Sequence, residues 1–134
     1  MNVLFLCTGN SCRSQIAEAF GRRYQRSGHR VWSAGINPQG INPRTTETMQ
    51  EIGVSLEEQF SKDLEDVPVA DLDLVVTLCG HADENLPEEL ASIRRVHWDL
   101  EDPADAAGTD EAVQGVFREA RQDIEGRVER LFSA

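Results

Sequence analysis

The stretch NVLFLCTGNSCRSQIAEAF, residues 2–20, changes character twice. Asn2 to Leu6 is a short apolar run of the kind that a strand buried on both sides requires. Further on, Ile16, Phe20 and Tyr24 recur every four residues with Ala17 and Ala19 beside them, which gives a helix one apolar face. Between the two lies CTGNSCRS, residues 7–14, a turn crowded with two cysteines, a glycine, an asparagine and an arginine. The expected order is strand, loop, helix, with Cys7 as the first residue beyond the strand.

Outward from this unit the pattern repeats. HRVWSAG reads as a second strand ended by Gly35, and INPQGINP as a loop rich in turn residues. A helix fits Arg44 to about Ile52 with Gly53 as its stop. DLDLVVTL, from Asp71, is the third strand and RRVHW, from Arg94, the fourth. Val113, Val116, Phe117, Ala120, Ile124, Val128 and Leu131 keep helical period in a last helix from about Thr109, a good N-cap, to Phe132. Strands alternating with helices imply right-handed crossovers, and the expected fold is α/β: a small doubly wound four-stranded parallel sheet in the order 2-1-3-4 with helices on both faces. Ligands bind such sheets at the carboxyl ends of the strands where the order reverses, which is where the first strand ends.

The chain has 134 residues, suited to one domain, 1–134, with a single core. No repeat, linker, basic leader or membrane-length apolar run interrupts it, so a cytosolic protein with no membrane partner is expected. A net charge of −11 argues against nucleic acid, whose phosphates need clustered basic residues. An anionic substrate would need strong local positive potential. The three cysteines, Cys7, Cys12 and Cys79, are too few and too unevenly spaced for a disulfide framework.

A cysteine is a nucleophile as its thiolate, and a helix N-terminus or a guanidinium lowers its pKa. Cys7 has both prospects. The amides of Thr8, Gly9, Asn10, Ser11 and Cys12 can converge on an anion as a nest. Gly9 permits positive φ and Asn10 tolerates it, as curling around an anion demands. The Arg13 fork can bind two oxygens of a tetrahedral oxyanion, and Ser14 can donate to the thiolate. Cys12 is expected to point into packing or to modulate the loop, without a catalytic role. Taken alone, the loop suits a phosphatase equally well. His81 and His97 show no ligand spacing with the cysteines and read as surface or loop histidines, so neither a metal nor a cofactor is expected.

Together, CTGNSCRSQIAEAF, SAGI, NP, DLVVTLC, HW and DP resemble the arsenate reductases of the low-molecular-weight tyrosine phosphatase superfamily, over nearly the whole chain. The resemblance implies a cytosolic enzyme that reduces arsenate to arsenite with electrons from a dithiol protein or small thiol. Cys79 ends the third strand and leaves the sheet beside Cys7, neighbouring strands being about 4.8 Å apart. Read bare, it is as readily a buried strand-end thiol. The resemblance makes it the thiol that resolves a Cys7–arsenate adduct into a Cys7–Cys79 disulfide. It also makes Asp102, with Pro103 stiffening its loop, the general acid, although Asp99 or Asp105 fits by charge alone.

The chain departs from its relatives at two places. Thioredoxin-coupled members carry a third redox cysteine seven residues after the second, where this chain has Leu86. Either thioredoxin, glutaredoxin, glutathione or a related thiol reduces the Cys7–Cys79 bond directly, or the chain is a variant that stops one step short. Some relatives bind potassium through residues matching Asn10, Glu18, Ser33 and an aspartate that here is Lys62, the only lysine. An ammonium paired with Glu18 would replace the ion; a solvent-exposed Lys62 is the alternative. Against a rival tyrosine phosphatase stands Ala104 after the DP pair, where those enzymes place an aromatic residue, although slow aryl phosphate hydrolysis is expected from shared chemistry. A non-enzymatic oxyanion sensor or phosphocysteine carrier is the third reading, disfavoured by the acid and the resolving thiol.

Overall fold

The computed structural model describes residues 1–133. Strands β1 (Asn2–Cys7), β2 (Arg30–Gly35), β3 (Leu74–Thr77) and β4 (Arg94–His97) form one sheet in the order β2-β1-β3-β4, every neighbouring pair parallel. This is the expected order. Helices α1 (Arg13–Tyr24), α2 (Pro43–Gln50), α3 (Gly80–Glu84) and α4 (Asp110–Phe132) connect and cover it. Successive residues of a strand face opposite sides, and Val3, Leu4, Phe5, Leu6 and Cys7 are all buried, so both faces of the central strand are covered. Each such aliphatic or aromatic side chain contributes about 1.5–3 kcal/mol relative to exposure.

Local chemistry sets the boundaries. Asn42 caps α2 by accepting from the Arg44 amide at 2.9 Å, with Pro43 opening the helix. Thr109 caps α4 by accepting from the Ala112 amide at 3.1 Å, as its position suggests. Gly53, at φ +76°, ends the turn after α2 in a conformation that L side chains avoid. α4 packs along α1 and is tied to α2 by Glu51, which meets Arg118 at 2.6 Å and Arg121 at 2.8 Å. The hydrogen bonds from Arg118, ahead of those from Arg121, hold the Glu51 carboxyl at about 2.

Several boundaries differ from expectation: α2 runs Pro43–Gln50, β2 starts at Arg30, β4 ends at His97, and Cys79 lies beyond the end of β3 at Thr77. Cys7 is the last residue of β1, paired with Gly35, and not the first beyond it. β3 starts at Leu74, because Val69–Asp71 is a 3-10 turn whose Asp71 carbonyl accepts from the Asn2 side chain, while the Asp73 carboxylate accepts from the Asn2 amide. α3, five residues long, is too short for helical period to show in sequence.

Candidate active site

The loop between β1 and α1 is held from outside by its carbonyls. Cys7, Thr8, Gly9 and Ser11 accept from the amides of Ile36, Asn37, Gln39 and Asn42 at 3.1, 2.8, 3.0 and 3.1 Å. The Asn10 carbonyl accepts from the Gln15 side chain at 3.0 Å, and Ser61 and Thr45 hydroxyls add bonds to Gly9 and Ser11. With every carbonyl from Cys7 to Ser11 drawn outward, amides turn inward: those of Asn10 and Ser14 point at the Cys7 sulfur. The segment 36–42 is thus a collar that fixes the nest, a role its loop-like composition did not reveal.

Within the loop, positive φ falls on Asn10, at 47°, and not on Gly9. Asn10 tolerates it because its side chain is fully engaged: Nδ2 donates to Ser14 Oγ at 2.8 Å and Ser33 Oγ at 2.9 Å, while Oδ1 accepts from the Lys62 amide and Gln15. Ser14 Oγ, already accepting from Asn10, has its own proton free for Cys7 Sγ at 2.8 Å. One hydrogen-bonded chain therefore runs from Lys62 Nζ to Glu18, Ser33, Asn10, Ser14 and the Cys7 sulfur.

Lys62 is buried, not solvent-exposed. Its Nζ lies 3.1 Å from Glu18 Oε1 and donates to the Phe60 carbonyl at 3.2 Å. Arg22 meets the other Glu18 oxygen at 2.7 Å. Two cations thus flank one buried carboxylate, which also accepts from the Ser33 amide and hydroxyl.

Cys7 contradicts one expectation. Burial pushes its thiol above the ordinary range, and this outweighs the lowering by Ser14, by the Asn10 and Ser14 amides and by Arg13. Its reaction with iodoacetamide is therefore expected to climb with pH beyond an ordinary cysteine's midpoint. Ser14→Ala, which removes a lowering bond, should move that midpoint further up and slow alkylation at neutral pH severalfold. An unchanged profile would remove Ser14 from the account.

Arg13 is aimed by fixed acceptors. Nη1 donates to the Leu100 carbonyl at 3.0 Å and the Leu78 carbonyl at 3.4 Å, and Nη2 lies 3.5 Å from Asp102 Oδ2. Asp102 Oδ1 accepts from the Ala104 amide at 3.0 Å, capping the Pro103–Asp105 turn. Its side chain is 34% exposed at the mouth.

Cys79 lies just past β3, one position beyond the residue beside Cys7, and its sulfur caps α3 by accepting from the Ala82 amide at 3.4 Å. Thr8 Oγ1 is 3.3 Å from the same sulfur. Cys12 stands at the N-cap of α1, its thiol raised by burial and bonded by Thr45 and Ser11. Cys7, Thr8, Gly9, Ser11, Cys12, Arg13, Cys79 and Asp102 line one cavity of about 560 Å³, joined by Gln39, His81, Ala104 and Asp105. Asn10 and Ser14 stand behind the loop with no exposed surface. His81 belongs to the mouth rather than to a remote surface, and His97 bonds Thr77 from the edge strand. Among the described residues no group of three or more His, Cys, Asp or Glu could hold a metal ion, and no helix is long and apolar enough to cross a membrane.

Comparison with known proteins agrees with this geometry. The family model described as low molecular weight phosphotyrosine protein phosphatase matches residues 2–134. A protein of Halalkalibacterium halodurans named arsenate reductase is 47% identical over 126 residues, 94% of this chain and 91% of that one. Two solved arsenate reductases, one in the phosphate-binding state and one oxidised, superpose with TM-score 0.82 at 34% and 33% identity, each comparison covering 98% of this chain and 96% of the other. A sulfur in an amide nest at a strand end, an arginine aimed beside it and a match along nearly the whole chain lead to one conclusion: the chain belongs to the low molecular weight phosphotyrosine protein phosphatase family, alongside its members named arsenate reductase.

Proposed function

We propose that residues 1–134 act as one catalytic unit that reduces arsenate to arsenite in the cytoplasm. The observation that carries this reading is the presence of two thiols, Cys7 and Cys79, in the lining of one cavity with Arg13 and Asp102. Kinship with proteins named arsenate reductase, one solved oxidised, supports a redox cycle.

In the first step Cys7 Sγ bonds to the arsenic of dihydrogen arsenate, and an arsenate hydroxyl leaves as water with the thiol proton. The thiol gives up its proton as sulfur bonds to arsenic, and that proton is the one the departing hydroxyl takes, so no external proton is consumed. The inward amides and Arg13 hold the three remaining oxygens, and Asp102 passes the proton to the departing one. In the second step Cys79 attacks Cys7 Sγ. The new sulfur–sulfur bond forms, the sulfur–arsenic bond breaks with its electron pair going to arsenic, and the Cys79 proton ends on the arsenite released. Two thiols are oxidised to a disulfide and arsenic is reduced by two electrons.

Leu86, partly buried against the core, cannot take the disulfide outward. Thioredoxin, glutaredoxin or a low-molecular-weight thiol therefore reduces the Cys7–Cys79 bond directly. Applied to a phosphate ester, the first step transfers the phosphoryl group to Cys7 Sγ and releases the alcohol, and water attacking the phosphocysteine then returns the thiol and inorganic phosphate, the slow hydrolysis expected as a side activity. Ala104 at the mouth leaves no aromatic wall for a phosphotyrosyl ring.

The Lys62 ammonium replaces a potassium ion behind the loop, where its charge already meets Glu18. Exchanging potassium chloride for sodium chloride at fixed ionic strength should change the rate by less than about twofold, a difference worth under half a kcal/mol; strong potassium activation contradicts the replacement. The function itself is tested by mixing the reduced protein with one equivalent of arsenate and no reductant. One arsenite per chain and the loss of two free thiols are expected, whereas arsenite without thiol loss overturns the mechanism.

A further inference from the structure

The short helix α3 carries Cys79 at its cap and is held by a cluster that the chemistry above does not use. Asp83, in its last turn, accepts from the buried Thr77 hydroxyl at 3.1 Å. Arg95 Nε lies 3.6 Å from the same carboxylate oxygen, and Arg95 Nη1 donates to the Asp83 carbonyl at 3.3 Å. Thr77 has a single proton, which goes to Asp83, so at 2.8 Å it accepts from His97 Nδ1–H. Asp83 is therefore fixed by side chain and by backbone to β3 and β4, which pair with each other, β3 lying beside the strand that ends in Cys7.

A helix of five residues does not persist by itself, because nucleation costs more than so few bonds return. Within α3, Ala82 is the buried residue, and the Cys79 sulfur supplies the cap. The bonds at Asp83 are thus a large part of what keeps α3, and with it Cys79, against the mouth of the cavity.

Resting on the reductase reading above, we infer that Asp83 is the positioning residue of the resolving thiol: through Thr77 and Arg95 it keeps Cys79 Sγ where it can reach Cys7 Sγ. It touches neither substrate nor reacting sulfur. It matters only for the second step, in which the Cys79 sulfur bonds to Cys7 Sγ, the sulfur–arsenic pair goes to arsenic and arsenite departs. Freed of Asp83, α3 samples many positions and the effective concentration of Cys79 at Cys7 falls.

The test is single-turnover disulfide formation after one equivalent of arsenate, followed by thiol counting in the full chain. Asp83→Asn should slow it about tenfold or more, the scale of a lost positioning contact. Cys7 alkylation by iodoacetamide, and its protection by inorganic phosphate, should stay as in the wild type, a split that general loosening of the fold would not produce. Thr77→Val, which keeps shape and loses the hydroxyl, should repeat the defect, and Thr77→Ser should restore the rate; these variants carry the test if Asp83→Asn fails to fold. Disulfide formation as fast as wild type, or faster, in Asp83→Asn or Thr77→Val overturns the inference, as does an equal loss in Cys7 alkylation. A wild-type protein that forms no Cys7–Cys79 bond instead overturns the reductase reading on which it stands.

Discussion

Serine in place of Cys79 is expected to lower arsenite formation from stoichiometric arsenate by about a thousandfold or more, the scale on which loss of a covalent nucleophile is felt. Sulfur is needed for a redox reason. The second step takes an electron pair from two thiols to arsenic, and a hydroxyl at residue 79 cannot form the stable bond to Cys7 Sγ that replaces the sulfur–arsenic bond. Serine retains a side-chain oxygen that can cap α3, so the helix and the loop around Cys7 should survive. The first step should also survive, leaving arsenate attached to Cys7 and inorganic phosphate still able to protect Cys7 from alkylation. Arsenite assayed in a single turnover, beside the mass of the intact chain, checks this. Undiminished arsenite would assign resolution to another sulfur, and Cys12, in the lining of the same cavity, is the sulfur at hand.

The second large effect belongs to a glycine with no chemistry of its own. Gly35 ends β2 against the anion loop, and a Cβ placed there would lie 2.7 Å from the Thr8 carbonyl oxygen and 2.9 Å from the Asn10 nitrogen and Cβ. These neighbours are mostly backbone, and the backbone is fixed: Gly35 donates to the Lys62 carbonyl at 2.8 Å, and Thr8 accepts from Asn37 at 2.8 Å. No flexible side chain can yield, so the loop itself must shift. Gly35→Ala is expected to cost about 3 kcal/mol of stability, at the upper end of overpacking effects, and to weaken phosphate protection of Cys7 by about tenfold through misaligned amides. Urea unfolding and phosphate-protected alkylation report the two separately. Stability within about half a kcal/mol of wild type would mean that the loop is softer than its hydrogen bonds indicate.

Gly35 also marks the limit of what the residues disclose. The strand–loop–helix unit at the head of the chain and the sheet order were legible because patterned segments report burial directly: β1 is apolar from Val3 to Cys7 and α1 repeats every fourth residue. Family resemblance raised the pairing of Lys62 with Glu18 but left a solvent-exposed lysine equally open, since nothing in the lysine's neighbourhood announces a buried cation; the structure decides it. What stayed hidden depends on contacts distant in sequence. The collar at 36–42 reads as an ordinary turn-rich loop, yet its amides decide which way the peptide groups of residues 7–11 face. Positive φ fell on Asn10 rather than Gly9 because four side-chain bonds stabilise the asparagine there. The raised Cys7 thiol follows from burial, which the motif does not encode; the motif displays only the groups that lower it. His81 entered the mouth with α3, a helix too short to register as a pattern.

The account rests on electron transfer between two particular sulfurs, and cysteine connectivity reads it directly. The reduced protein is treated with one equivalent of arsenate, quenched by alkylation and mapped by peptide mass spectrometry. The predicted result is a disulfide joining Cys7 to Cys79, with Cys12 alkylated and one arsenite released per chain. A chain that has released arsenite while Cys79 remains fully alkylated would contradict it.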